Sequence, residues 1–180
     1  MQKIKQVSCF FRFLFLAVFI TLPVLLALFW LNAPKPLGFP NAGFILSYTE
    51  GVDILHPLSN MTKFYGFLIC LIPVGFMEYV FYCFIKLFSL YEKAEIFSIN
   101  NVNYLKRIGQ ALLLSQLFNP FYDALKTFNL SWGNPHGHRF ISISFGSTNI
   151  EIILMALMTI LISWIMAEGC RLREEQQLTI

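Results

Sequence analysis

A run of about 18 or more apolar residues is long enough to cross the hydrocarbon layer of a bilayer as a helix, and this chain contains several. One extends from about Phe11 to Leu31, with Arg12 at its edge and Pro23 inside. A second extends from about Phe64 to Leu87 and holds Pro73 and Glu78. Another, from about Ile150 to Met166, carries no charge after Glu151. Between these lies a weaker stretch, about Tyr104 to Leu125, interrupted by Gln110, Ser115, Gln116, Asn119, Pro120 and Asp123. It is read as a span as well, because an even number of crossings fits the charges. The expected fold is an all-α membrane protein, a bundle of four transmembrane helices (11–31, 64–87, 104–125 and 150–166) in one domain, 1–180. Irregular outer loops at 32–63 and 126–149, an inner loop at 88–103 and a cytoplasmic helical tail at 167–180 complete it.

Composition agrees. Of 180 residues, 57% are hydrophobic and 13% charged, and twenty are Phe. Soluble domains carry about 25% charged residues, and a soluble chain this short has too much surface to hide that much apolar area. A soluble enzyme, a disordered chain and a disulfide-knotted secreted domain are excluded. The first run begins with Lys3 and Lys5, as a signal peptide does. Its apolar stretch exceeds the roughly 7–15 residues of a signal core, and Leu31-Asn32-Ala33 is a poor cleavage site, so it is read as a retained span.

Lys and Arg set orientation. Lys3, Lys5, Arg12, Lys86, Lys93, Lys106, Arg107, Arg171 and Arg173 fall on one side of the four spans, and Lys35, Lys63, Lys126 and Arg139 on the other. The richer side is expected to be cytoplasmic, with both termini there. Residues 32–63, with Pro34, Pro36, Pro40 and Pro57, read as irregular loop. Gly133-Asn134-Pro135 marks a turn, and "RFISISF" (139–145) alternates as a short strand would.

Polar residues inside spans are costly and are kept for packing or for function. Glu78 is expected to face the bundle or to be protonated, and Tyr82, four residues on, can hydrogen-bond it. On the third span Gly109, Gln116, Pro120 and Asp123 share one arc, with Asn119 at its edge. Glu78, Tyr82, Gln116, Asn119 and Asp123 therefore form a candidate intramembrane site, either packing glue or a proton- or ligand-linked pocket for a small transporter. Asp123 lies close to the outer surface and is expected to be hydrated. No internal repeat supports an inverted-repeat carrier.

Catalysis and cofactors are not expected. The three His (His56, His136, His138) lie in outer loops, so no haem ligand sits in a span. Cys9, Cys70, Cys83 and Cys170 form no CxxC pair, and His136-Gly137-His138 is a poor metal site without a nearby acid or Cys. Ser142, Ser144 and His138 share a loop, but no acid is near them in sequence. A net charge of +3 gives no reason to expect direct nucleic-acid binding.

The inner loop "LFSLYEKAEIFSINNVNYLKRIG" (87–109) and the ending "AEGCRLREEQQLTI" (167–180) are less generic than the spans. Lys93, Glu95, Ile96, Phe97, Ser98, Asn101, Val102, Lys106, Arg107, Ile108 and Gly109, with Glu168, Gly169, Leu172, Glu174, Glu175, Leu178, Thr179 and Ile180, resemble a bacterial integral membrane family, the domain of unknown function 2975 family. The resemblance implies a multi-pass protein of the bacterial cytoplasmic membrane and supplies no mechanism. It implies weakly, as a partner, a cytoplasmic helix-turn-helix regulator. The family typically has Gly where Ala94 stands: either the position needs a positive φ, which Ala would strain, or the turn here is helical.

Physically, Ser98 or Asn100 can cap a helix starting near Asn101, and Ile96 and Phe97 suit the membrane interface. Glu168, Arg171, Glu174 and Glu175 are spaced for i, i+3 and i+4 contacts, so the fourth helix can run on into the cytoplasm. Glu174 and Glu175 can reach Lys106 or Arg107, and Arg171 or Arg173 can reach Glu92 or Glu95. The expectation is a small adaptor or sensor in which Glu92, Lys93, Glu95, Phe97, Lys106, Arg107, Arg171, Arg173, Glu174 and Glu175 form a cytoplasmic platform. The bilayer is its other partner, and a homo-oligomer is compatible with the pattern.

Overall fold

The structure, a computed structural model, describes residues 2–32, 58–135 and 137–178. Among these it is all helix and connection, with no strand. Helix α1 is Gln2–Asn32, α2 Asn60–Glu92, α3 Ile99–Ser131 and α4 Ser147–Leu178. Each exceeds thirty residues. At 1.5 Å per residue that is about 45–50 Å, more than the ~30 Å hydrocarbon layer. The helices overrun the expected spans because capping and polar contacts, which hydropathy does not register, set their ends. Residues 60–63, 88–92, 99–103, 126–131 and 147–149, expected as loop, are therefore helical. The expected loop at 33–57, with Lys35 and His56, lies outside the described residues, as do His136 and the last two residues.

Among the described residues, three helices are long and apolar enough to cross a membrane: Gln2–Leu31, Asn60–Glu92 and Ser147–Gln176. Helix α3 is as long but too polar to join them. Pro23, Pro73 and Pro120 lie inside α1, α2 and α3. In apolar surroundings such residues are tolerated where neighbouring groups satisfy the freed carbonyl.

Helix starts follow local chemistry. The Thr62 amide donates to Ser59 Oγ at 3.1 Å, which makes Ser59 the cap of α2. The Asn101 amide donates to Ser98 Oγ at 3.4 Å, so α3 starts at Ile99 with Ser98 as cap, two residues before the expected start. Asn149 Oδ1 accepts the Gly146 amide at 3.2 Å ahead of α4.

The chain forms two compact units. The first comprises Met1–Ile20, Phe76–Leu117 and Gly146–Ile180. Its core is Val80, Cys83, Leu87, Ile108 and Ala111. Phe15 stacks on Phe84 with centroids 4.8 Å apart, and Phe11 on Phe88 at 5.4 Å. Here α3 and α4 touch at small residues. A methyl added to Gly109 would sit 2.5 Å from Ile160 Cγ1 and 2.9 Å from the Ala156 carbonyl oxygen. Close backbone approach through small side chains is how helices associate where lipid removes the hydrophobic drive. Much of the rest of α4 is bare, with Met155, Met158, Leu161, Trp164 and Ile165 all exposed. Apolar surface on that scale is not left to water, and it fits lipid.

The second unit comprises Thr21–Gly75 and Phe118–Phe145. Its core is Leu26, Phe29, Trp30, Cys70, Val74 and Leu130. The Trp30 indole lies against Gly66, where any Cβ would collide with the ring.

Candidate functional site

The connection between α2 and α3 is tightly determined. The Glu95 amide donates to the Leu90 carbonyl at 3.1 Å and the Ala94 amide to the Tyr91 carbonyl at 3.0 Å. That pair of bonds is a Schellman ending, which needs a left-handed residue at its fifth position. Ala94 holds it, with φ of 63°. The strain expected from Ala in place of Gly is present and costs about 1 kcal/mol.

Asn101 holds the rest of the loop. Its side chain is 0% exposed. Its Nδ2 donates to the Glu95 carbonyl and, at 2.6 Å, to the Ile96 carbonyl. One amide thus satisfies two backbone acceptors that the turn leaves without helical partners. Lys93, Glu95, Phe97, Lys106 and Arg107 are all exposed around this clamp. Arg107 lies over the Tyr104 ring at 5.8 Å.

The expected charge pairs change partners. Arg12 Nη1 donates to Glu92 Oε2 at 2.6 Å, with both side chains partly buried. Glu92 is thus met by the first helix and not by the tail. Arg171 Nε pairs with Glu175 Oε1 at 3.1 Å along its own helix. Helix α4 does continue through the tail, as the i, i+4 spacing implied, and residues 171–176, including Arg173 and Glu174, are exposed. Glu92 thus pairs with α1, and Arg171 pairs within its own helix. The Arg171–Glu175 pair, four residues apart on one helix, orders less chain than a pair between separate elements.

Glu78 does not bond Tyr82. Both its carboxyl oxygens are shut from solvent and have no hydrogen-bond partner among the described residues. Tyr82 is exposed, with the Lys86 ammonium 5.5 Å above its ring. Gln116 Nε2 donates to Ser115 Oγ at 3.3 Å. The residues of the arc on α3 fall into different units. Gly109 and Gln116 belong to the first, Asn119 and Asp123 to the second.

Asp123 is buried and not open to the surface. It is 6% exposed and anchors an arrangement that alternation alone did not reveal. Residues 139–145 are extended but pair with no strand among the described residues. They lie along the last turns of α3, held by side chains four residues apart. Ser131 Oγ accepts the Phe140 amide at 3.3 Å and donates to the Phe140 carbonyl at 3.0 Å. Thr127 Oγ1 accepts the Ser142 amide at 3.0 Å. Ser144 Oγ donates to Asp123 Oδ2. Four helical residues rise about 6 Å, and two extended residues about 6.6 Å. The two repeats therefore stay in register over three rungs.

Lys126 completes the ladder's charge, its Nζ 3.4 Å from Asp123 Oδ1 with both side chains largely buried. Asn134 closes the turn, since Arg139 Nε donates to its carbonyl at 3.0 Å. Ser144 meets an acid here, but that bond fastens the strap. The three groups of a Ser, His and acid relay are not brought together by the bonds of Ser144.

Among the described residues, no three His, Cys, Asp or Glu side chains gather as metal ligands. Residues 30–180 match a family model described as a protein of unknown function, DUF2975. No curated protein and no solved structure matches the chain.

Proposed function

The chain belongs to the DUF2975 family, and from that premise we propose that it is a four-span protein of the bacterial cytoplasmic membrane that acts as an adaptor or sensor. Its cytoplasmic tail recruits a soluble partner such as a helix-turn-helix regulator, and the clamped loop flanks that docking element. The observation that carries this reading is the tail itself. Residues 171–176 extend α4 as an exposed helix of mixed charge with one internal ion pair. A helix that served only to cross the bilayer needs no such extension. Exposed ion pairs contribute about 0–1 kcal/mol each, so a partner can replace them at little cost. Phe97 and Ile99, exposed beside the clamp, add an apolar edge that suits either the lipid interface or the partner.

The polarity of α3 does not speak against a fourth crossing. Several of its polar residues are already bonded: Asp123 to Ser144 and Lys126, Thr127 to the strap, Asn129 to the Thr62 carbonyl and Asn101 to the loop. A group satisfied inside the protein loses most of its penalty in lipid. The test of the adaptor reading is affinity capture from membranes with the intact chain and with a chain truncated after Arg171. A set of cytoplasmic proteins recovered by the first and lost by the second is expected. Identical recoveries, or none from either, would end the reading.

A second reading, a small proton-coupled carrier, rests on Glu78, whose carboxyl oxygens are enclosed and unpartnered. Unsatisfied acids at membrane depth mark ion paths or relays. Glu78→Gln separates the two. A variant with unchanged stability and phenotype leaves the carrier without its principal group.

A further inference from the structure

Within the second unit a groove of about 470 Å³ opens beside the end of α1 and the start of α2. Its walls are the side chains of Ala27, Trp30, Phe64 and Phe67, and its polar end is formed by Asn60 and Lys63. The lining is apolar along most of its length and cationic at one end. Pockets that hold small molecules fall in this size range and share this design, apolar walls with a few polar groups that fix orientation. No described residue supplies an anion to Lys63, whose ammonium has no ion-pair or hydrogen-bond partner among them. A second groove, lined by Phe128, Trp132, Arg139 and Phe140, has a similar composition. There the cation is already engaged. Arg139 donates to the Asn134 carbonyl at 3.0 Å and lies 5.2 Å over the Trp132 ring. The Lys63 groove therefore offers an uncommitted charge next to an apolar channel, and the Arg139 groove does not.

We propose that this groove is a binding site for an anionic bilayer phospholipid, with an acyl chain against Trp30, Phe64 and Phe67 and the headgroup phosphate on Lys63. The argument is complementarity of both kinds. An apolar chain covers the aromatic walls, and a phosphate supplies the counter-charge that no described residue provides. Basic positions beside apolar helix surfaces are where acidic headgroups bind membrane proteins, and a lysine there can keep its stem in the apolar layer with its charge at the headgroup level. The proposal needs only that the chain sits in a membrane and is independent of any partner at the tail.

The experiment is native mass spectrometry of the full chain in mild detergent, titrated with phosphatidylglycerol and, separately, with phosphatidylcholine of the same acyl chains. Phosphatidylglycerol adducts are expected to persist at higher activation energy than phosphatidylcholine adducts. Lys63→Glu should weaken the first at least tenfold, and Lys63→Gln by less. Ala27→Trp should block both lipids by filling the channel, with helix content and melting checked by circular dichroism. Lys86→Glu, in the first unit, should change neither. Glycerol 3-phosphate in excess should not compete. Equal retention of the two lipids, an unchanged Lys63→Glu or an equal loss in Lys86→Glu would each overturn the proposal. Full competition by glycerol 3-phosphate would also do so, by reducing the site to a phosphate contact.

Discussion

The two connections that flank α3 solve the same problem differently. Residues 93–98 join α2 to α3, and residues 132–146 join α3 to α4. Each leaves backbone groups that helices cannot satisfy, and each is tied down by polar side chains of α3. The first depends on one fully buried side chain, Asn101, bonded to two carbonyls. The second depends on three rungs set four residues apart, Ser131, Thr127 and Asp123. A single clamp fails as a whole, whereas a ladder fails by steps. The clamped loop also leaves its charges outward, while the strap draws Asp123 and Lys126 inward.

The largest effect should come from the clamp. Asn101→Ala removes the donor to two carbonyls, and each acceptor left buried costs about 1–3 kcal/mol. A loss of about 2–4 kcal/mol is expected in thermal unfolding in detergent, together with faster amide exchange across residues 93–98. A smaller effect is expected at the ladder. Thr127→Val keeps shape and removes one rung, for about 1 kcal/mol, with the outer two rungs still protected from exchange. Thr127→Val combined with Ser131→Ala should approach the sum, since each rung is a separate contact. If Thr127→Val alone frees the whole strap, the ladder is a clamp as well and the contrast disappears. The smallest effect is a gain. Ala94→Gly relieves the left-handed strain at φ of 63° and should stabilise by about 0.5–1 kcal/mol. No gain would mean that the lost chain entropy of glycine cancels the relief.

These differences explain which parts were legible in the sequence. Helices α1, α2 and α4 are legible because an apolar run of span length has few alternatives. The cap at Ser98 and the strain at Ala94 were visible because capping and positive φ are local requirements. The alternation at 139–145 was visible, but its partner was not. Period two normally means a neighbouring strand, and the neighbour here is a helix face. The matching signal was the spacing of Asp123, Thr127 and Ser131, which hydropathy registers only as polar interruptions. The ion pairs of the loop and tail were illegible for another reason. Long charged side chains in water have many acceptable partners, and Arg12, distant in sequence, met Glu92. Glu78 stands out in the sequence as an acid inside an apolar run, but no bond to Tyr82 forms, because a shared helix face does not guarantee a shared rotamer.

The ladder also bears on the number of crossings, the point on which the whole account turns. If the polar side chains of α3 are satisfied internally, α3 crosses the membrane although it lacks the apolar character of the other three helices. Alkaline phosphatase fused after Asn60, after Asn101 and after Asn134 decides this directly. The account expects activity at Asn60 and Asn134 and none at Asn101. Activity at Asn60 with none at either Asn101 or Asn134 would leave α3 on one side of the membrane and contradict it.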